Sequence, residues 1–91
     1  STADAQRTTY IVEPFLGYDG ENNALVNELI LREIQLIGIF NDYFGARTVA
    51  ELEGPQNKIR VEQELLEMIN RILREGQVQD IVFGSYQFLP F

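Results

Sequence analysis

Histidine and cysteine are both missing from the 91 residues, and methionine occurs once. Without histidine no side chain titrates near neutrality at its reference pKa, and a Ser-His-Asp triad cannot be assembled. Zinc sites of the usual kinds lose their ligands, so neither a transition metal nor any other cofactor is expected. The lack of cysteine removes disulfides and thiolate nucleophiles and is compatible with any compartment, the periplasm included. Positive charge is scarce as well: 7 Lys and Arg stand against 14 Asp and Glu, a net charge of −7. That balance opposes binding to nucleic acid or to an anionic lipid surface, which both need a basic footprint. No apolar run approaches the roughly 20 residues of a membrane span, because Arg32, Glu33, Gln35 and Gly38 interrupt the longest one.

What the chain does have is enough apolar residue, 45% of the total, for one small folded domain over residues 1–91. Residues 1–7, STADAQR, read as a linker or the edge of a longer chain. Three features touch on chemistry. Asp19, Gly20, Glu21 and Asn22 are similar to the start of a calcium loop, but the twelve-position ligand pattern fails, which leaves helix capping as the better reading. Glu62, Glu64 and Glu67 lie along a helix whose polar face is expected to be solvated. Gly17 and Gly20 lack the motif of a phosphate loop. No enzymatic activity is expected.

The order of elements reads strand, helix, short helix, helix, strand. Thr8 to Asp19 and the run after Gly76 carry the Val, Ile, Phe and Tyr that suit a pleated surface. Gly84 and Ser85 mark a bulge that shifts the alternation from Ile81 and Phe83 to Tyr86 and Phe88. The first helix is expected to start at Asn22 or Asn23 and to end at Gly45 in a left-handed C′ position. Its apolar residues go round the helix, with Leu25, Leu31, Leu36, Ile39 and Tyr43 widening the stripe of Val26, Leu29, Ile30, Ile34, Ile37, Phe40 and Phe44. Two readings stay open: both sides lie in the core, or one is a subunit interface. Thr48 and Glu51 form a capping box, and Pro55 suits the first position of the next helix, expected to run to Glu75. That helix would turn Ile59, Leu65, Leu66, Ile69, Ile72 and Leu73 inward and Lys58, Arg60, Glu64, Glu67 and Arg71 outward.

From Ala46 to the C-terminus, ARTVAELEGPQNKIRVEQELLEMINRILREGQVQDIVFGSYQFLPF resembles the C-terminal half of the FliL family of flagellar basal-body-associated proteins. Arg47, Thr48, Glu51 and Leu52 hold the places of its acidic turn, Pro55 to Leu73 its amphipathic helix, Gly76 its link, and Val78, Ile81 and Phe83 its closing strand. Upstream, Glu28, Leu29, Arg32 and Leu36 hold places in its long apolar helix, and the resemblance covers roughly Phe15 to Leu89. Family members usually have two strands before that helix, and Tyr10 to Tyr18 takes the place of the second. The closing strand here has Gly84 and Ser85 where the family often has Thr.

The resemblance implies an α+β fold, two long helices packed on a small sheet, similar to a stomatin-like domain. It implies the periplasmic part of a single-pass bacterial inner-membrane protein whose upstream helix lies outside this chain. It also implies a non-enzymatic motor component that meets the stator proteins MotA and MotB and self-associates into a ring or partial ring around them. A generic periplasmic scaffold or adaptor domain without a flagellar role is the alternative. Ile39, Tyr43, Tyr86, Phe88 and Phe91 are the candidate interface residues, with the sheet edge open to strand addition by a neighbouring copy.

Overall fold

The computed structural model describes residues 2–3 and 8–90. It is an α+β arrangement in the order β1 (Thr8–Gly17), α1 (Asn23–Leu31), α2 (Glu33–Gly45), α3 (Val49–Leu52), α4 (Pro55–Ile72) and β2 (Asp80–Pro90). The linker assigned to residues 1–7 and the interface candidate Phe91 fall wholly or largely outside the described residues.

The two strands pair with each other, antiparallel, from Thr8 opposite Pro90 to Gly17 opposite Asp80. A two-stranded sheet is marginal in water unless something covers it. Here its inner face is covered by aromatic packing centred on Phe44, near the end of α2. The Phe44 ring stacks on Tyr10 of β1 at 5.0 Å and meets the β2 rings Phe83 and Tyr86 edge-on at 6.0 and 6.2 Å. The anticipated bulge is present: Glu13 faces Ser85 and Pro14 faces Phe83, so Gly84 is the extra residue. It carries the inward set from Ile81 and Phe83 to Tyr86 and Phe88. A Cβ on Gly84 would come within 2.7 Å of the Phe15 ring, which is why glycine stands there.

Local signals place the helix starts well. Asn22 Oδ1 accepts the Leu25 N–H at 3.1 Å, Glu51 Oε1 accepts from both the N–H and the hydroxyl of Thr48, and Pro55 opens α4. Four expectations need correction. The single helix to Gly45 is two, because Arg32 leaves the helical region (φ −96, ψ 11); no Pro or Gly marks the break, which falls one turn after a carboxylate tied to distant backbone. Gly45 is the last residue of α2 and not a left-handed cap; Ala46 caps it in the right-handed region. Helix α4 stops at Ile72, since Leu73 turns extended (φ −76, ψ 139). Its innermost face is Val61, Leu65 and Ile69, at strict i, i+4, i+8 spacing, while Ile59 is 56% exposed.

The connector from Leu73 to Gln79 has no regular structure, so side chains satisfy its backbone. Asn70 exchanges two hydrogen bonds with Val78, donating to its carbonyl at 2.9 Å and accepting its N–H at 2.8 Å. Asn22 donates to the Glu75 carbonyl at 2.9 Å. Gly76 has φ +149, and a Cβ there would meet Asn22 Nδ2 at 2.8 Å, so this link is closed to larger residues.

Candidate interaction surface

Among the candidate interface residues, Tyr43 is 3% exposed, and Ile39, Tyr86 and Phe88 are partly buried against the subunit's own core. Polar groups fix two of them further. The Tyr43 hydroxyl donates to Glu64 Oε1 at 3.1 Å while the Arg47 guanidinium lies 3.5 Å from the centre of its ring. The Tyr86 hydroxyl donates to the Leu52 carbonyl at 2.6 Å. Burial first, and then for Tyr43 the bond to Glu64, pushes both phenols up to about 12. These side chains hold the fold together from inside.

The open edges of the sheet are blunted. Phe83 donates its N–H to Glu62 Oε2 at 3.1 Å, so its main-chain groups point away from β1. In an antiparallel ladder the residue opposite then points outward too, and that residue is Pro14, which has no N–H to offer. The Thr8 carbonyl accepts from the Thr2 N–H at 3.3 Å. Proline, a capping carboxylate and a covering segment are means by which edge strands are closed to new partners.

The acidic residues singled out in the sequence have structural partners. Asp19 Oδ1 accepts the Glu21 N–H in a turn that leads into the Asn22 cap. Glu62 and Glu64, expected to be solvated, are half-buried and engaged by Phe83 and Tyr43, whereas Glu67 sits exposed 4.0 Å from Arg71. Glu28, which spacing alone did not single out, is buried. Its carboxylate accepts the Arg74 N–H at 2.9 Å, the Glu75 N–H at 2.9 Å and Arg32 Nε at 2.8 Å. Desolvation pushes its pKa up, but the bonds from Glu75, Arg32 and Arg74 outweigh it and hold the carboxyl below its usual range.

The free surface lies elsewhere, on the outer side of α1 and α2. Leu31 and Ile34 are each 86% exposed, Ile30 is 65% and Ile37 52%. Beside them runs a groove of about 570 Å³, whose lining includes Phe15 and Tyr18 on one wall and Ile30, Leu36, Ile37 and Phe40 on the other. Of the two readings left open for the all-round apolar helix, burial of both sides fails. Its signal was in the sequence, because the apolar residues outnumber what one face can hold.

The family model for "Flagellar basal body-associated protein FliL" matches residues 5–87. The chain is 33% identical over 81 residues to the Flagellar protein FliL of Borreliella burgdorferi, covering 89% of this chain and 44% of that protein. It is 32% identical over 90 residues to the Flagellar protein FliL of Treponema pallidum, covering 98% of this chain and 49% of that one. The chain therefore spans just under half the length of these curated relatives. A match running from before β1 nearly to the end of β2, through both helices that frame the exposed face, places the chain in the FliL family of flagellar basal body-associated proteins.

Proposed function

We propose that the protein is a non-enzymatic component of the flagellar motor that self-associates around the MotA and MotB stator and stabilises it. In this reading residues 1–91 form a single periplasmic domain, held at the inner membrane by a helix upstream of it. The observation that carries the reading is the unburied apolar face of α1 and α2 in a family of basal-body proteins, since an exposed apolar surface of this kind marks a contact with another protein. The absence of catalysis is supported by what the polar groups do. Glu28, Glu62 and Glu64 accept structural hydrogen bonds, and Tyr43 and Tyr86 stay protonated far above neutrality.

The test is made in cells that swim. Deleting the gene should reduce motility and the occupancy of fluorescently tagged MotB at the motor, and the intact gene should restore both. A charged residue at position 34 should fail to restore them although the protein accumulates normally. Full stator occupancy in the deletion strain would remove the stator reading.

A further inference from the structure

Helix α1 stands between two clefts. On one side is the groove of about 570 Å³, to whose lining this helix contributes Val26, Leu29 and Ile30. On the other is a cleft of about 620 Å³, where Asn27, Glu28 and Leu31 face Arg74 and Glu75 of the link between α4 and β2. Between the two, Leu25 and Leu29 are the only apolar side chains that α1 buries. A helix of nine residues has little stability of its own, so α1 depends on what ties it to its neighbours.

Those ties are polar, and they converge on two residues. Glu28 accepts the N–H groups of Arg74 and Glu75, and Asn22 donates to the Glu75 carbonyl, so α1 is clasped near both its ends to the same short stretch. Leu25 sits between the two clasps, close enough to Gly76 that a Cβ there would come within 3.3 Å of it. The stretch itself is pinned to α4 independently, through the pair of bonds between Asn70 and Val78, and can stay on the core when α1 leaves it. Either end of α1 can bend. Arg32 is a single non-helical residue, splinted by its own guanidinium, which donates through Nε to Glu28 and through Nη1 to Gln35 of α2. At the other end, the turn from Asp19 to Asn22 leaves open space around Gly20.

We infer that α1 opens and closes as a unit of its own, hinged at Arg32 and at the turn before Asn22, and clasped shut by Glu28 and Asn22 on the link between α4 and β2. Opening takes away the groove wall made by Val26, Leu29 and Ile30 and carries Ile30 and Leu31 out of the exposed apolar face, while Phe44, Leu65 and Ile69 stay packed. The consequence for binding rests on the reading of that face as a contact surface: the clasp sets the shape in which the face is offered, and a partner that grips Ile30 and Leu31 favours the closed form.

Hydrogen exchange in the full-length protein, followed by mass spectrometry at rising urea below the unfolding transition, tests the hinge. Peptides covering residues 23–32 and 73–76 should exchange together, at least about tenfold faster than those covering Leu65 and Ile69, and with a shallower dependence on urea, because a partial opening exposes less surface than unfolding does. Glu28→Gln removes a charged acceptor and should speed exchange in both segments about tenfold or more. Asn22→Ser keeps a helix cap but loses the amide donor, and should speed it about two- to tenfold. Val61→Ala, in the core of α4, should speed exchange at Leu65 and Ile69 and leave residues 23–32 as they were. If α1 and α4 follow one urea dependence, α1 does not open by itself, and if Glu28→Gln leaves exchange in α1 unchanged, the clasp is not what holds it; either result overturns the inference. Exchange needs no partner, so its failure leaves the motor reading standing, and full stator occupancy in a deletion strain would leave the exchange result standing.

Discussion

Helix α4 and the α1–α2 pair are of similar bulk, yet they relate to the core in opposite ways. In α4, Val61, Leu65 and Ile69 are fully buried along one line, and charged residues fill much of the rest of the surface. Along α1 and α2 the core takes Leu25, Leu29, Leu36, Tyr43 and Phe44, and a second set as apolar as the first stays in water. A helix with one apolar stripe has a single packing obligation, met within the subunit. One that is apolar on two sides has two, and the described residues meet only one of them. An apolar side left in water points to a partner outside the described residues, and the contrast between the two helical units can be measured.

The largest effect should come from the core side of α2. Phe44→Ala removes the ring that joins both strands to the helices and should cost about 3–5 kcal/mol in chemical denaturation, with Leu65→Ala in α4 costing about 2–5 kcal/mol. Ile34→Ala on the outer side should stay within about 0.5 kcal/mol of wild type under conditions where the protein is monomeric. Comparable losses at Phe44 and Ile34 would mean that the two sides are not distinct.

Next in size is the tie between the two regions. Glu28→Gln removes the charge that holds the N–H groups of Arg74 and Glu75, and the thermal midpoint at pH 7 should fall. Because the folded-state pKa of Glu28 lies below the usual carboxylate value, its contribution is present above that value and is lost as the pH falls through the folded-state pKa. The midpoints of wild type and Glu28→Gln should therefore converge in acid, once the pH has fallen through the lowered pKa of Glu28. A constant gap down to pH 2 would show that the charge of Glu28 is not what matters.

Smaller still is the cap of α3. Thr48→Ala should cost about 0.5–2 kcal/mol, typical of a lost N-cap side chain, and Thr48→Ser should recover most of it. The smallest change belongs to the charged face of α4, where Arg71→Ala removes an exposed pair at 4.0 Å and should leave the unfolding midpoint where it was.

What was legible in the sequence follows the range of the interactions involved. Asn22, the Thr48–Glu51 pair and Pro55 act within one helical turn, and their residue types state their roles before any fold is known. Gly84 was legible because alternation on β2 makes sense only if one residue is skipped. The burial of Glu28 was not, since it depends on residues 74 and 75, which come near only in the folded chain; nor was the break at Arg32, which no proline or glycine marks. Ile59 was taken for core because it is apolar, while the i+4 series beginning at Val61 already pointed to the correct line. The burial of three candidate interface residues was hidden for a related reason. Tyr43, Tyr86 and Phe88 are large and apolar enough for either role, and only the position of Phe44 between the strands and the helices draws them inside.

The sheet joins the first strand of the chain to the last, so every residue between Gly17 and Asp80 must be brought into place before its ladder closes. Pairing of such sequence separation carries the full entropy of closing that loop and gains nothing until it is closed, whereas α1, α2 and α4 form from local contacts. Folding should accordingly begin with the helices docking through Phe44, Leu65 and Ile69, and strand zipping should come late. Mutations at Tyr10 or Phe88 would then speed unfolding and leave the refolding rate nearly unchanged. Until the ladder closes, both strands present unpaired edges and the aromatic faces of Tyr10, Phe83 and Tyr86 to solvent, so the interval between helix docking and zipping is the window in which the chain is most exposed to aggregation.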